Sequence, residues 1–341
     1  EVRIRYRIDG KLHLSQHIPK EALSAVVTRI KILSKLNIAE KRVPQDGRFD
    51  YQYRDKILNL RVSVLPTVHG EKVVIRILDK TNFLIPKEKL GFTKANLNKF
   101  NELLQNPHGI ILITGPTGSG KSTTLYTMLS ELNQIHDNIL TVEDPVEYMI
   151  DGLNQVQVNT KAGLTFAGAL RSFLRQDPDI IMLGEIRDSE TADIALRAAI
   201  TGHLVLSTLH TNDAVSSISR LADMGIQPYM IAVSLMGVIS QRLVRRLCSQ
   251  CAKSYVPAEH ELKLLDLPSG EYQFKEPVGC AFCNNTGYKG RIAVHEILIV
   301  SRELRDMIAS NATVTEMTDF AVKQGMTTLK QEAVRLLKEG V

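Results

Sequence analysis

The segment Gly115-Pro-Thr-Gly-Ser-Gly120-Lys121-Ser122 is the first place where residue types and spacing imply chemistry. It fits G-x-x-x-x-G-K-[ST] and lies between an apolar run, Ile110 to Thr114, and a helical pattern, Lys121 to Leu132. Strand, glycine-rich loop and helix in that order leave backbone N–H groups free to surround phosphate oxygens, with the positive end of the helix aimed at them. Gly115, Thr117, Gly118, Ser119 and Gly120 would form the cradle. Lys121 would contact the β- and γ-phosphates and Thr123 would support the α-phosphate. The Ser122 hydroxyl would ligate Mg2+, a hard cation that prefers oxygen. The chemistry implied is binding of ATP with Mg2+.

Three further segments carry groups suited to the same ligand. Asp179-Ile-Ile-Met-Leu-Gly-Glu185 takes Glu185 to the carboxyl end of an apolar strand, the edge where such folds place ligands, and makes it the candidate Mg2+-side carboxylate, acting through water. Strands of this type usually end in aspartate, and Gly184 stands in that place here. Glu143-Asp144-Pro145-Val146-Glu147 follows the apolar run Ile139 to Val142 and offers a general base for in-line water, either Glu143 or Glu147. A charged turn after a strand is also a common solvated feature. His203 and His210 bracket Leu204 to Leu209, and His210, at the carboxyl end, is placed to sense a γ-phosphate.

The elements that must position these groups alternate along the chain: strands at 110–114, 139–142, 180–183 and 204–209, helices at 121–132, 165–174 and 190–201. That order predicts an α/β domain with a mostly parallel sheet covered by helices. Thr93 to Leu104 reads as a helix capped by Thr93. Residues 1–80 alternate in strand fashion around one amphipathic stretch, Pro19 to Leu36, and predict a small α+β domain joined through a linker at 81–90 to the domain 91–341. Beginning with Glu1 inside an alternating run suggests that upstream domains are missing. Pro228 to Leu247 reads as a helix ending in Arg242, Arg245 and Arg246, a basic cluster that complements the negative helix end or serves a subunit boundary or an anionic lipid.

All four cysteines fall into two doublets, Cys248-x-x-Cys251 and Cys280-x-x-Cys283, separated by 28 residues. Such doublets fit a tetrahedral four-thiolate Zn2+ site, here in an extended insertion, 248–290, followed by a helical region, 291–341.

Taken together, GPTGSGKS, TVEDPVEY, RQDPDIIMLGEIRD and TGHLVLSTLHTNDA resemble, in order and wording, the secretion-type ATPases of type IV pili and type II secretion. The resemblance implies a RecA-like P-loop ATPase domain with a zinc-binding insertion behind a small α+β domain. It assigns the general base to Glu147 and Mg2+ coordination to Glu185, and places Glu143, His203 and His210 in the same pocket. It also implies phosphate-reaching arginines from the first domain, Arg61 and Arg76, with Arg48 a third candidate. A forked guanidinium suits charge on a transferring phosphoryl group better than lysine does. Members form homo-hexamers on the cytoplasmic face of the inner membrane and drive a membrane-embedded platform protein. The four-cysteine module resembles the pilus-assembly and secretion branches rather than the retraction branch.

Composition narrows the classes further. A formal charge of +5 on 341 residues is far from the dense basic stripe of a dedicated nucleic-acid binder. Trp is absent and aromatics make up 5%, too few for base-stacking platforms, so no nucleic-acid partner is expected. No run approaches the roughly 18 consecutive apolar residues that span a bilayer.

Overall fold

Alternation in the amino-terminal residues translates into strands. The computed structural model describes residues 1–54, 56–79 and 84–341, and divides into the units Glu1–Phe83 and Leu84–Val341. In the first unit, β1 (Val2–Ile8) and β2 (Lys11–Ile18) form an antiparallel pair; α1 (Leu23–Leu33) follows, and β3 (Gln45–Tyr53), β4 (Lys56–Thr67) and β5 (Gly70–Asp79) form a three-stranded antiparallel sheet. Val27 of α1 packs with Val62 and Val64 of β4, which turns the other face of this sheet away from the small core. The short alternation of β2 is interrupted by histidine and glutamine.

The second unit begins with α2 (Lys94–Leu104), capped by Thr93, whose hydroxyl accepts the Asn96 N–H at 3.1 Å. It continues through β6 (Gly109–Thr114), α3 (Lys121–Leu132), β7 (Ile139–Glu143), β8 (Asn154–Gln157), α4 (Phe166–Phe173), β9 (Ile180–Leu183), α5 (Ser189–Ile200), β10 (Leu204–Leu209), α6 (Ser216–Asp223) and α7 (Pro228–Ser234). Then come β11 (Leu235–Leu247), β12 (Lys253–Tyr255), α8 (Glu259–Leu264), β13 (Phe274–Glu276), β14 (Tyr288–Ile299), α9 (Arg302–Ala309), α10 (Val314–Lys323) and α11 (Leu329–Glu339). The main sheet has seven strands in the order β14-β11-β6-β10-β9-β7-β8; every neighbouring pair is parallel except β11 with β14. Strands β6, β9 and β10 are buried along their whole length, which is why they read as apolar-rich runs, broken only by Thr114, Ser207 and Thr208, instead of alternating ones.

Three expectations need correction. The segment 228–247 is not one helix: α7 stops at Ser234, and residues 235–247 form β11, which pairs with β6 on one side and β14 on the other. Burial on both faces removes the periodicity that separates a central strand from a buried helix. The region 291–341 is helical only from Arg302, because β14 occupies its start. Of the linker 81–90, residues 81–83 lie outside the described residues, while the rest folds onto the second unit: Thr127 of α3 donates to the Ile85 carbonyl at 2.8 Å, Lys87 pairs with Glu131 at 2.7 Å, and Leu90 is buried.

Gly237 marks how closely β11 is packed. A Cβ there would lie 2.5 Å from Leu103 Cδ2 and 2.7 Å from the Leu298 carbonyl oxygen. Gly237→Ala is expected to destabilise the second unit by about 1–3 kcal/mol through overpacking. Thermal denaturation followed by circular dichroism checks this; an unchanged midpoint would mean that Leu103 moves aside freely.

Candidate phosphate-binding site

Register places four chemically active segments at one edge of the sheet. Leu209 lies opposite Thr114, and Val142 opposite Leu183, so the chain leaves β6, β7, β9 and β10 at their carboxyl ends and enters Gly115, Asp144, Gly184 and His210 side by side. Parallel pairing enforces this convergence, because strands running the same way end on the same side.

The glycine-rich loop meets the amino end of α3 there. Pro116, Thr117, Gly118 and Ser122 are exposed, Ser119 is buried, and the Lys121 ammonium donates to the carbonyls of Gly115 at 2.8 Å and Pro116 at 3.2 Å. Burial lowers the Lys121 pKa and the Glu185 carboxylate opposes that shift, so the two charges sense each other. Glu185 itself is pushed up by burial but held below its ordinary value overall by Arg187, His210 and Lys121. Its carboxylate pairs with Arg187, and His210 Nε2 lies 3.6 Å from its second oxygen. An ionised carboxylate and an exposed serine hydroxyl, delivered to the same sheet edge, are both hard oxygen donors of the kind Mg2+ takes. The Gly184 backbone is fixed on both sides, its N–H donating to Val142 at 2.8 Å and its carbonyl accepting the Thr208 hydroxyl at 2.7 Å.

The two acidic candidates after β7 occupy different environments. Glu143 is buried, with one oxygen accepting from Thr141 at 2.7 Å and Gln155 at 3.1 Å and the other from the Tyr126 hydroxyl. That hydroxyl in turn accepts the Glu147 N–H at 3.2 Å. Burial and the Glu143 carboxylate push the Tyr126 phenol well above its ordinary value, so it stays a donor. Glu143 is therefore saturated and anchors the loop from β7 into α3, whereas Glu147 is half-buried on that loop.

His203 is not brought to this edge, which corrects its placement in the pocket. It precedes β10 at the amino end, where its carbonyl accepts the Gly109 N–H at 3.1 Å and its Nδ1 lies 2.9 Å from the Ala198 carbonyl at the end of α5. The six residues of β10 separate it from His210, about 23 Å at strand rise. The strand ends of the sequence contained this, since one histidine stood before the run and the other after it.

In the first unit, Arg61 stands directly opposite Arg48 on β3 and Arg76 on β5, so the three arginines form one row across the sheet, on the face away from Val62 and Val64. Local spacing does not show this row, nor the roles of Tyr126 and Gln155, which belong to no motif; Arg187 lies within RQDPDIIMLGEIRD, but its pairing with Glu185 is not expected from it.

The four cysteines converge at the end of the β11–β14 ribbon, which continues past the carboxyl end of β6. Among the described residues their sulfurs lie within 4.8 Å of one another. Cys248–Cys280 are 3.9 Å apart, and Cys251–Cys283 and Cys280–Cys283 are both 3.8 Å apart. Backbone N–H groups of Gly279, Cys280 and Gly287 point at Cys251 and Cys283 sulfurs at 3.2–3.3 Å.

A model of the family described as type II/IV secretion system protein matches residues 1–341. The type IV pilus assembly ATPase PilB of Thermus thermophilus is 50% identical over 344 residues, covering all of this chain and 39% of that protein. Type II secretion system protein E of Aeromonas hydrophila is 51% identical over 308 residues, covering 90% of this chain and 62% of that protein. PilB of Myxococcus xanthus is 48% identical, covering the whole chain and 61% of that protein. The chain thus spans less than two thirds of these relatives. Among solved structures, the pilus retraction motor PilT with bound ADP has a TM-score of 0.60 at 29% identity over 96% of this chain and 88% of that one. The Yersinia pseudotuberculosis ATPase DotB shares the fold, with a TM-score of 0.73 at 20% identity over 100% of this chain and 84% of that one.

Tyr126→Phe removes the donor to Glu143 and the acceptor for the Glu147 N–H. It is expected to cost about 1–3 kcal/mol, the penalty of stranding buried polar groups, and to lower the unfolding midpoint by several degrees. Calorimetry reads the shift; wild-type stability would show that Thr141 and Gln155 alone hold Glu143.

Proposed function

The chain belongs to the type II/IV secretion system protein family, and from that premise we propose that it is the ATP-hydrolysing core of a hexameric motor for type IV pilus assembly. The observation that carries the reading is the meeting of Lys121, Ser122, Glu185, His210 and the Glu147 loop at one sheet edge. Gly115, Thr117, Gly118, Ser119 and Gly120 offer backbone N–H groups to the phosphates, Lys121 neutralises the β- and γ-phosphates, and Thr123 supports the α-phosphate. Mg2+, held by Ser122 and through water by Glu185, would supply charge neutralisation at the phosphate oxygens. Glu147 orients the attacking water, a role that Glu143 is too fully hydrogen-bonded to share. Arg61 and Arg76 stabilise the charge of the transferring phosphoryl group, with Arg48 beside them. Opposed positions on β3, β4 and β5 put the three arginines on one face of the sheet, and a forked guanidinium suits a phosphoryl group.

The cysteine cluster suits structural Zn2+. Four ligands at a Zn–S distance of about 2.3 Å in a tetrahedron have sulfurs about 3.8 Å apart. Separations of 3.8–3.9 Å match that figure and are far from a disulfide's. N–H groups directed at sulfur are the outer partners that thiolate ligands take.

None of the helices among the described residues is long and apolar enough to cross a membrane. In the proposed setting the motor acts at the cytoplasmic face of the inner membrane against a platform protein. The likeness to type II secretion system protein E at 51% identity favours a second reading, in which the same engine drives protein secretion.

Deleting the gene in its host, with surface pili counted by electron microscopy and secreted enzymes assayed in the same cultures, tests the proposal. Loss of pili with normal secretion is expected. Retained pili with trapped exoproteins would establish the secretion reading, and excess pili a retraction motor. Purified protein is expected to carry about one zinc per chain by elemental analysis, lost in Cys280→Ser; zinc-free wild-type protein would remove the metal from the account.

A further inference from the structure

β11 passes the glycine-rich loop on its way to the cysteine module, and Gln241 is its point of contact. Ser240 lies opposite Thr114, so Gln241 stands level with Gly115, the first residue beyond β6. Its side chain is 1% exposed and uses both ends: Nε2 donates to the Ser119 carbonyl at 2.8 Å, and Oε1 accepts the Thr124 hydroxyl at 2.8 Å. The same residue also sets the shape of the loop by exclusion. A Cβ on Gly115 would lie 2.3 Å from the Gln241 carbonyl oxygen, and one on Gly120 would lie 3.0 Å from Nε2. Both glycines have left-handed φ, 138° and 93°. They are thus demanded twice, by conformation and by the strand and amide packed against them.

We propose that Gln241 is a positioning residue for the phosphate loop, holding 115–124 in the form that presents its N–H groups to a nucleoside triphosphate. The inference rests on the ATP-binding reading of the loop and goes beyond it, because Gln241 belongs to none of the phosphate-site motifs and touches no expected ligand atom. An amide is required here: Ser119 offers only an acceptor and Thr124 supplies the donor, so one side chain must donate at one end and accept at the other. Leucine of similar size supplies neither, and glutamate turns an acceptor toward the Ser119 carbonyl. A loop whose ligand is bound by backbone N–H groups depends on such a tie more than one that binds by side chains, since small shifts misdirect several donors together.

The test uses the whole chain with four measurements: affinity for a fluorescent ATP analogue with Mg2+, KM, kcat and the unfolding midpoint. Gln241→Leu is expected to raise Kd and KM roughly tenfold or more, the loss of two buried hydrogen bonds, while kcat at saturating nucleotide changes by less than about threefold. Thr124→Val removes one bond at nearly constant shape and should raise Kd by a smaller factor, whereas Thr124→Ser, which keeps the hydroxyl, should bind like wild type. This pair decides the matter if Gln241→Leu does not fold. A lowered midpoint with wild-type Kd and KM in Gln241→Leu, or equal Kd values for Thr124→Val and Thr124→Ser, would overturn the proposal and leave Gln241 a packing residue. Lys121→Ala separates the two levels. If wild type binds the analogue and Lys121→Ala does not, the site reading stands whatever Gln241 does; if wild type binds none, both fall.

Discussion

Parallel pairing of β6, β10, β9 and β7 is the constraint from which the rest follows. Each strand is buried along its whole length, and each ends within about two residues of its neighbours, so the polar segments that follow the strands are delivered to one edge. Backbone geometry then does what side chains alone cannot: it turns loop N–H groups and the start of α3 toward a common point, where an anion is favoured. Gly115 and Gly120 leave room for Gln241 of the neighbouring strand, whose backbone and side chain fill the space a side chain would take.

Within that edge, hydrogen bonding sorts chemically similar residues into different roles. Glu143 and Glu147 are four residues apart and both acidic, yet Glu143 spends its acceptors on Thr141, Gln155 and Tyr126. Tyr126 also takes the Glu147 N–H, so the saturated glutamate fixes the backbone of the one proposed to act on water. Glu185 shows the opposite balance: burial raises its pKa, and Arg187, His210 and Lys121 bring it below the ordinary value. A carboxylate held ionised by the positive groups around it is suited to a metal-side role and unsuited to taking up a proton.

Much of this was legible in the residues. The strand before the glycine-rich loop, the helix after it, and the runs at 180–183 and 204–209 stand where their apolar content put them, because buried parallel strands are short and bounded here by glycine, acidic residues or histidine. What escaped the sequence had no local signature. The start of β11, residues 235–239, is apolar and buried on both faces, so strand and helix looked alike, and the error hid Gln241 from view. The row formed by Arg48, Arg61 and Arg76 depends on the register of three strands, and Tyr126 reaches Glu143 from a different element. Long-range pairing decides all of these, while motifs report only what is near in sequence.

The central claim is that this edge hydrolyses ATP and that Glu147 rather than Glu143 positions the water. Single-turnover phosphate release, measured with Mg·ATP on wild type and Glu147→Gln under conditions that favour oligomers, tests it most directly. The account predicts phosphate release by wild type, and retained nucleotide binding with release reduced by roughly 10²-fold or more in the variant, the range for losing general-base assistance. Release by Glu147→Gln at the wild-type rate, or no release from wild type above background, would contradict it.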